Sequence, residues 1–243
     1  MIQRHNISII LQIGGVLNKI KNHFEEEAEE FDAIIQKLIP FYSNMLEALV
    51  LTIPHQGKEK IVVADLGCGT GTIAKKVLEK YPKAELTCVD LADNMIEGAK
   101  AKLKGYDNVE YIVEDFYDFD FHKKYDVVLS SLALHHLRND NDKKRFFKKV
   151  YDALNRDGVF YTADVVLGSS ETLQNTYMLK WKEFMEKKVS VSEVESKWLP
   201  KYEDEDRPAE LFEQLKWLED TGFVSVDVIW KYYNFAVYGG VKT

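Results

Sequence analysis

The chain is 243 residues long, 46% apolar and 30% charged, with a formal net charge of −8. That balance fits one globular domain with a substantial core, and it argues against a broad nucleic-acid-binding surface, because phosphate contacts need clustered Lys and Arg. A small anionic substrate in a local basic pocket remains compatible with it. Cys68 and Cys88 form neither a metal-ligand pattern nor a disulfide framework, so a cytoplasmic location is the simplest expectation.

The first apolar stretch, Ile7–Ile13, is interrupted by Ser8 and Gln12, lacks a small-residue cleavage site and is too short to span a bilayer. It reads as a packed or frayed leader, with no membrane partner. From about Asn18 to Leu51 the chain reads as helices. Phe24, Ala28, Phe31, Ile35 and Leu38 recur at helical spacing, and the acids Glu25, Glu26, Glu27, Glu29 and Glu30 occupy the other faces as a solvated surface. Pro40 ends that helix, and Phe41-Tyr42-Ser43-Asn44-Met45-Leu46 begins another.

Strands and helices then alternate. Lys60–Asp65, Ala84–Asp90, Val109–Val113, Tyr125–Ser131 and Val159–Val165 read as strands. Helices are expected over roughly Gly71–Lys80, from an N-cap at Asp93 to about Leu103, and over Asp140–Leu154, with a turn at Asn155-Arg156-Asp157-Gly158. This order calls for an α/β fold, a Rossmann-like parallel sheet with ligands beyond the carboxyl ends of its strands. From Gly168 to about Tyr202 the pattern becomes a polar helical insertion, followed by a helix over Pro208–Asp220. Val224–Lys231 and Asn234–Lys242 are joined by so short a turn that they must be antiparallel neighbours. The expected architecture is seven-stranded and mostly parallel with an antiparallel last strand.

The most informative stretch is Val62-Val63-Ala64-Asp65-Leu66-Gly67-Cys68-Gly69-Thr70-Gly71-Thr72. A strand ending in such a turn exposes backbone N–H groups and admits a close ligand, because glycine has no Cβ and tolerates positive φ. The spacing is G-x-G-x-G; a dinucleotide fingerprint would need glycine at Thr72, and no phosphate-binding P-loop is present. DLGCGTG resembles motif I of the class I S-adenosylmethionine-dependent methyltransferases. The resemblance implies that Asp65, Gly67, Cys68, Gly69 and Gly71 surround the methionine and ribose part of S-adenosyl-L-methionine.

A carboxylate at the end of the second strand holds a ribose diol through two hydrogen bonds, and Asp90 is in that place. In the family an acid at the position of Asp115 receives the adenine amino group and the backbone of Phe116 addresses the ring. Leu91 and Met95 supply apolar walls or are plain core. Ser131, at the end of strand four, is expected to touch the methionine moiety.

The stretch Phe41-Tyr42-Ser43-Asn44, the insertion and Trp230-Lys231-Tyr232-Tyr233-Asn234-Phe235-Ala236 look like the carboxy-S-adenosylmethionine synthase group. Those enzymes transfer a carboxyl from prephenate to the cofactor for later tRNA wobble-uridine modification, and in them a tyrosine at the position of Tyr42 closes over the cofactor. Two departures separate this chain from them. It has Gly69 in place of a serine, and an ungapped count puts Trp217 where the group uses an arginine to grip the extra carboxylate. An indole cannot replace a bidentate guanidinium.

The reading is therefore a methyltransferase acting on a small-molecule acceptor, with the synthase as alternative. It implies one domain, divided into a helical cap (1–55), a cofactor-binding core (56–168 and 206–243) and a helical lid (169–205). Methyl transfer from a sulfonium is an in-line displacement that needs alignment and exclusion of water, with no metal required. His135, just past strand four, is the candidate base, or else only shapes the pocket. Asp164, at the end of strand five, could bind an acceptor amine, act as base or cap the insertion. Trp181, Trp198 and Trp217 are expected in the lid core, and that lid with Tyr177, Tyr232 and Tyr233 should carry acceptor choice. Homodimerisation stays open. A short-chain dehydrogenase is disfavoured because its Tyr-x-x-x-Lys falls only at Tyr238 and Lys242, in the last strand. A catalytically silent cofactor-binding module would bind without transfer.

Overall fold

The computed structural model describes residues 19–25, 30–54 and 60–243. The Ile7–Ile13 leader and the middle of the acidic run lie outside the described residues. The described strands are β1 (Val62–Leu66), β2 (Glu85–Asp90), β3 (Val109–Val113), β4 (Tyr125–Ser131), β5 (Leu154–Val165), β6 (Val224–Tyr232) and β7 (Phe235–Val241). They form one sheet in the order β3-β2-β1-β4-β5-β7-β6. The first five pair in parallel, and β7 runs antiparallel to both β5 and β6. Strand order reverses between β2 and β4 on either side of β1, which opens a crevice at the carboxyl ends of those strands.

Alternation along each strand separates two cores. On one face Val63, Leu86, Val127 and Val237 pack with α2 (Phe31–Leu38), α3 (Tyr42–Leu51), α4 (Thr72–Lys80), α5 (Asp93–Lys102) and α7 (Glu171–Met185). On the other, Ala64, Val89, Val128 and Phe160 pack with α6 (Asp140–Ala153) and α10 (Leu211–Thr221). Between α7 and α10 the chain forms α8 (Val191–Glu193), a π-helical turn (Val194–Trp198) and α9 (Leu199–Glu205). Residues 19–25, here α1, are helical.

Four local expectations need correction. The N-cap of α5 is Ala92, not Asp93, and Glu25 of α1 supplies the missing acceptor. Its two carboxylate oxygens receive the Asp93 and Asn94 backbone N–H groups at 2.7 and 2.8 Å, while Asp93 pairs with Lys21. An acid at a helix N-terminus is favourable on charge as well as hydrogen bonding, so Glu25 is more than solvated surface. Asn155-Arg156-Asp157-Gly158 does not break the chain. It is an irregularity inside β5, where pairing jumps from Tyr125↔Leu154 to Val127↔Val159 and Asp157 takes φ 62°. Trp217 belongs to the α6–α10 core, with Lys144 Nζ 4.9 Å from its ring centroid, and so does not join Trp181 and Trp198. Finally, Tyr177, Tyr232 and Tyr233 stack edge-on beside Lys231 on the protein's surface and line neither of the two cavities described below.

Candidate active site

The loop after β1 is tied to its neighbour strand. The Gly67 and Cys68 N–H groups both donate to the Val89 carbonyl, at 2.8 and 3.0 Å. Gly67 has φ +70°, and a Cβ there would lie 2.2 Å from that of Ala133, so only glycine lets the β4 end approach. Gly71 begins α4 at φ +79° with α5 against it at Ala99. It closes the turn behind the site and does not line the cavity.

The cavity, about 950 Å³ including its mouth, lies at the strand ends. It brings together Tyr42, Asp65, Gly67, Cys68, Gly69, Asp90, Leu91, Met95, Asp115, Phe116 and Ser131, eleven of the twelve positions expected around a cofactor. Ile20 and Phe24 of α1, and Thr70 and Tyr117, also line it; none of these was expected from sequence. The cap is latched to the glycine loop by Asp32, which accepts from Thr70 and Thr72 at 2.6 and 3.1 Å and pairs with Lys102 Nζ at 2.6 Å.

Two buried acids face this space. Asp90 Oδ2 accepts from the Gly69 N–H at 2.8 Å and Oδ1 from the Ala92 N–H at 3.0 Å. Each oxygen keeps a lone pair for a ligand hydroxyl. Burial raises its pKa, against those backbone donors. Asp65 is almost fully buried with neither carboxylate oxygen hydrogen-bonded. Burial pushes it up to about 7, the nearby Ala74 N–H opposing from outside hydrogen-bond geometry and the Asp90 charge adding to the rise. An orphaned buried carboxylate beside an open cavity is costly unless a ligand donor or cation compensates it. Asp115 is committed to its own loop, accepting through one oxygen from Tyr117 and Asp118 N–H at 2.6 and 3.1 Å, which leaves the second oxygen for an outside donor.

A second cavity of about 780 Å³ adjoins the first, and Phe24, Phe31, Leu132 and His136 belong to both walls. Its far side is Trp181, Met185, Trp198, Lys201 and Tyr202 of the α7–α9 segment. Leu132 takes φ 52° at the end of β4, a left-handed conformation that costs a branched residue free energy, and its N–H donates to Ala163 at 2.8 Å.

His135 faces the second cavity and not the first. Its Nδ1 is hydrogen-bonded to Asp164 Oδ1, and its Nε2 is 3.5 Å from Asp206 Oδ1. Burial lowers the His135 pKa, but the Asp206 and Asp164 carboxylates outweigh it and raise it to about 9. The carboxylates on either side of the ring favour its protonated form, and the Asp164 bond fixes its orientation, an arrangement that suits a positioning group. Asp164 is buried, bonded to His135 and to the Val165 N–H, and does not cap the insertion. His136, which sequence reasoning passed over, is the member of the pair that lines the first cavity. The two lie on a 3₁₀ turn (Leu134–His136), where successive side chains diverge by about a third of a turn, and nothing in the sequence says which faces where.

A family model for a methyltransferase domain matches residues 63–158. A carboxy-S-adenosyl-L-methionine synthase of Nautilia profundicola is 27% identical over 233 residues, covering 93% of this chain and 98% of that protein. A malonyl-[acyl-carrier protein] O-methyltransferase of Ilyobacter polytropus is 29% identical over 142 residues, covering 58% of this chain and 49% of that one. Among solved structures, the DhpI–SAM–HEP complex superposes with a TM-score of 0.63 at 20% identity, covering 93% and 97% of the two chains. The seven-stranded sheet, the methyltransferase domain over residues 63–158 and the likeness to S-adenosylmethionine enzymes over nearly the whole chain converge on an S-adenosylmethionine-dependent methyltransferase.

Proposed function

We propose that the enzyme transfers the methyl group of S-adenosyl-L-methionine to a small-molecule acceptor held in the second cavity. The observation that carries this is the pair of adjoining cavities at the switch point of the sheet: one lined by the glycine loop and two buried acids, the other mostly apolar and aromatic. In the first, Asp90 would bind the ribose hydroxyls, Gly67, Cys68 and Gly69 the methionine end, and Leu91, Met95 and Phe116 the adenine. Asp65 would face the cationic end of the cofactor, where the ligand's charge offsets its burial. Asp115 would offer its free oxygen to the adenine amino group, and Ser131 and Tyr42 would close the methionine side.

The cofactor supplies an already activated methyl. The protein's own part is to align the acceptor across the shared wall and to exclude water. On this reading residues 1–55 are a cap, 169–205 a lid over the second cavity, and 56–168 with 206–243 the core. His135 and Asp164 hold the inner end of the acceptor cavity. We place the protein in the cytoplasm with no nucleic-acid or membrane partner; no helix among the described residues is long and apolar enough to cross a membrane.

The test is incubation of the protein with radiolabelled cofactor and fractionated metabolite extract. Label in a small-molecule product is expected, and cofactor binding without any labelled product would overturn the reading in favour of a silent module. The likeness to the synthase over nearly the whole chain favours one second reading. Incubation with prephenate and mass spectrometry of the cofactor separates the two, since only a synthase adds the mass of a carboxyl. The burial of Trp217 in the opposite core, at the position that an ungapped count gives for that group's arginine, speaks against it.

A further inference from the structure

The inner end of the second cavity gathers three side chains whose arrangement the methyl-transfer reading does not use. His135 Nε2 and His136 Nδ1 lie 3.5 and 3.6 Å from the same oxygen, Asp206 Oδ1, and the three atoms are all within 4.8 Å of one another. Those two separations exceed the 2.7–3.2 Å of an ordinary N–H···O bond. They approach the spacing of about 3.4 Å between ligand atoms around a tetrahedral ion bound at roughly 2.0–2.1 Å.

Two further features belong to a metal centre more than to a polar cluster. Among the described residues the buried His136 Nδ1 has no partner within hydrogen-bond distance, and Asp206 Oδ1 lies 3.6 Å from it. His135 is only 6% exposed and is held from behind, its Nδ1 bonded to the buried Asp164 carboxylate, the carboxylate–histidine arrangement that orients a ligating imidazole and raises its basicity. Asp206 is brought in by the chain next to it, where the Arg207 N–H donates to the His135 carbonyl at 2.8 Å.

We propose that His135 Nε2, His136 Nδ1 and Asp206 Oδ1 form a binding site for a first-row divalent cation of the Zn²⁺ type, with Asp164 as the group that orients His135. Two imidazoles and one carboxylate suit such ions, and calcium or magnesium would demand more oxygen ligands. Binding displaces the proton from His135 Nε2 to solvent. Three protein ligands leave a fourth position, the pattern of sites that hold water or a substrate atom. His135, His136 and Asp206 all line the second cavity, so that position opens beside the methyl donor and suits an acceptor presenting a hydroxyl, thiol or carboxylate. The role in acceptor binding rests on reading this cavity as the acceptor's; the metal site itself does not.

The experiment uses the full chain stripped of metal by a chelator and titrated with Co²⁺, read by ligand-field absorption, and with Zn²⁺, read by elemental analysis after gel filtration. One ion per chain is expected in the wild type. Binding should be lost in His136→Ala and Asp206→Asn and weakened about 10–100-fold in Asp164→Asn. Thermal melting close to that of the wild type shows that all three variants remain folded, and calorimetric S-adenosylmethionine affinity unchanged within threefold in Asp206→Asn and Asp164→Asn, neither of which lines the first cavity, shows that cavity intact. Failure of the wild type to bind Co²⁺ or Zn²⁺ at micromolar concentration overturns the proposal, as does stoichiometric binding that persists in both ligand variants. Stoichiometric, variant-sensitive binding by a protein that methylates no acceptor would sustain the metal site and remove only its role in transfer.

Discussion

The two cavities are built differently. The first is walled mainly by strand ends and the turns that follow them, so backbone register alone places Asp65, Asp90 and Ser131 around it. The second is walled by one 3₁₀ turn, two N-terminal helices, the α7–α9 segment and single residues at the strand ends (Leu132, Val165 and Phe235), pieces joined mostly by side-chain packing and a few hydrogen bonds. A site fixed by sheet register tolerates little change in its backbone and keeps its ligand. A site fixed by packed helices can be reshaped by substitution without disturbing the sheet, and on the proposed reading that is where variation in acceptor belongs.

The largest test of that contrast is Trp181→Ala. Trp181 joins α7 to α2 by donating to the Leu38 carbonyl at 2.8 Å, and it packs edge-on against Tyr202 and Phe235. Truncation should cost about 3–5 kcal/mol of stability, measured by denaturant unfolding, while calorimetric cofactor affinity at low temperature changes less than threefold. An equal collapse of cofactor binding would show that the two regions are one unit.

Asp90→Ala probes the other side. Losing a charged acceptor for the ribose diol should weaken S-adenosylmethionine about a hundredfold, near 2.7 kcal/mol, in a protein that still folds. Wild-type affinity in the folded variant would defeat the ribose assignment.

A third test uses pH. Burial holds Asp65 at about 7 in the folded protein against 3.8 as its ordinary value. Between those limits the folded state keeps a proton that the unfolded state has released, so this group makes stability fall as pH rises from about 4 to about 7, and contributes no slope outside that window. The slope is at most about 1.4 kcal/mol per pH unit. Asp65→Asn should flatten it in urea midpoints taken across the range. Because the cofactor's cationic end favours the carboxylate, wild-type cofactor affinity should also strengthen as pH rises through 7; a flat profile would move Asp65 out of the site.

The smallest expected effect is that of Tyr177→Phe. Among the described residues the Tyr177 hydroxyl receives Lys231 Nζ alone, at 3.1 Å. Stability should shift by no more than about 0.5 kcal/mol, with acceptor KM unchanged; a large rise in KM would return the tyrosine cluster to the acceptor site.

The same contrast explains what could be read in the sequence. Hydrophobic alternation depends on near neighbours and located every strand, while the glycine spacing and the family resemblance picked out twelve positions, eleven of which line one cavity. Gly71 was misplaced because a glycine can serve a turn as well as a ligand, and only the Ala99 contact distinguishes them. The second cavity depends on contacts across long separations. Asp206 reaches His135 over 71 residues, and Glu25 caps a helix that begins 68 residues later; neither leaves a periodic signal. Asp93 lost the capping role predicted for it because Asp90 already receives the Ala92 N–H and Glu25 the next two.

Phe24 is part of both cavity walls and stacks edge-on against His136 at 5.6 Å between ring centroids. An aromatic ring shared by two cavities is a point through which a ligand in one can bear on the other. If filling the donor chamber moves that ring and changes acceptor affinity by some factor, linkage requires the acceptor to change donor affinity by the same factor. Donor and acceptor would then titrate as partners, each with a dissociation constant set by the other's concentration.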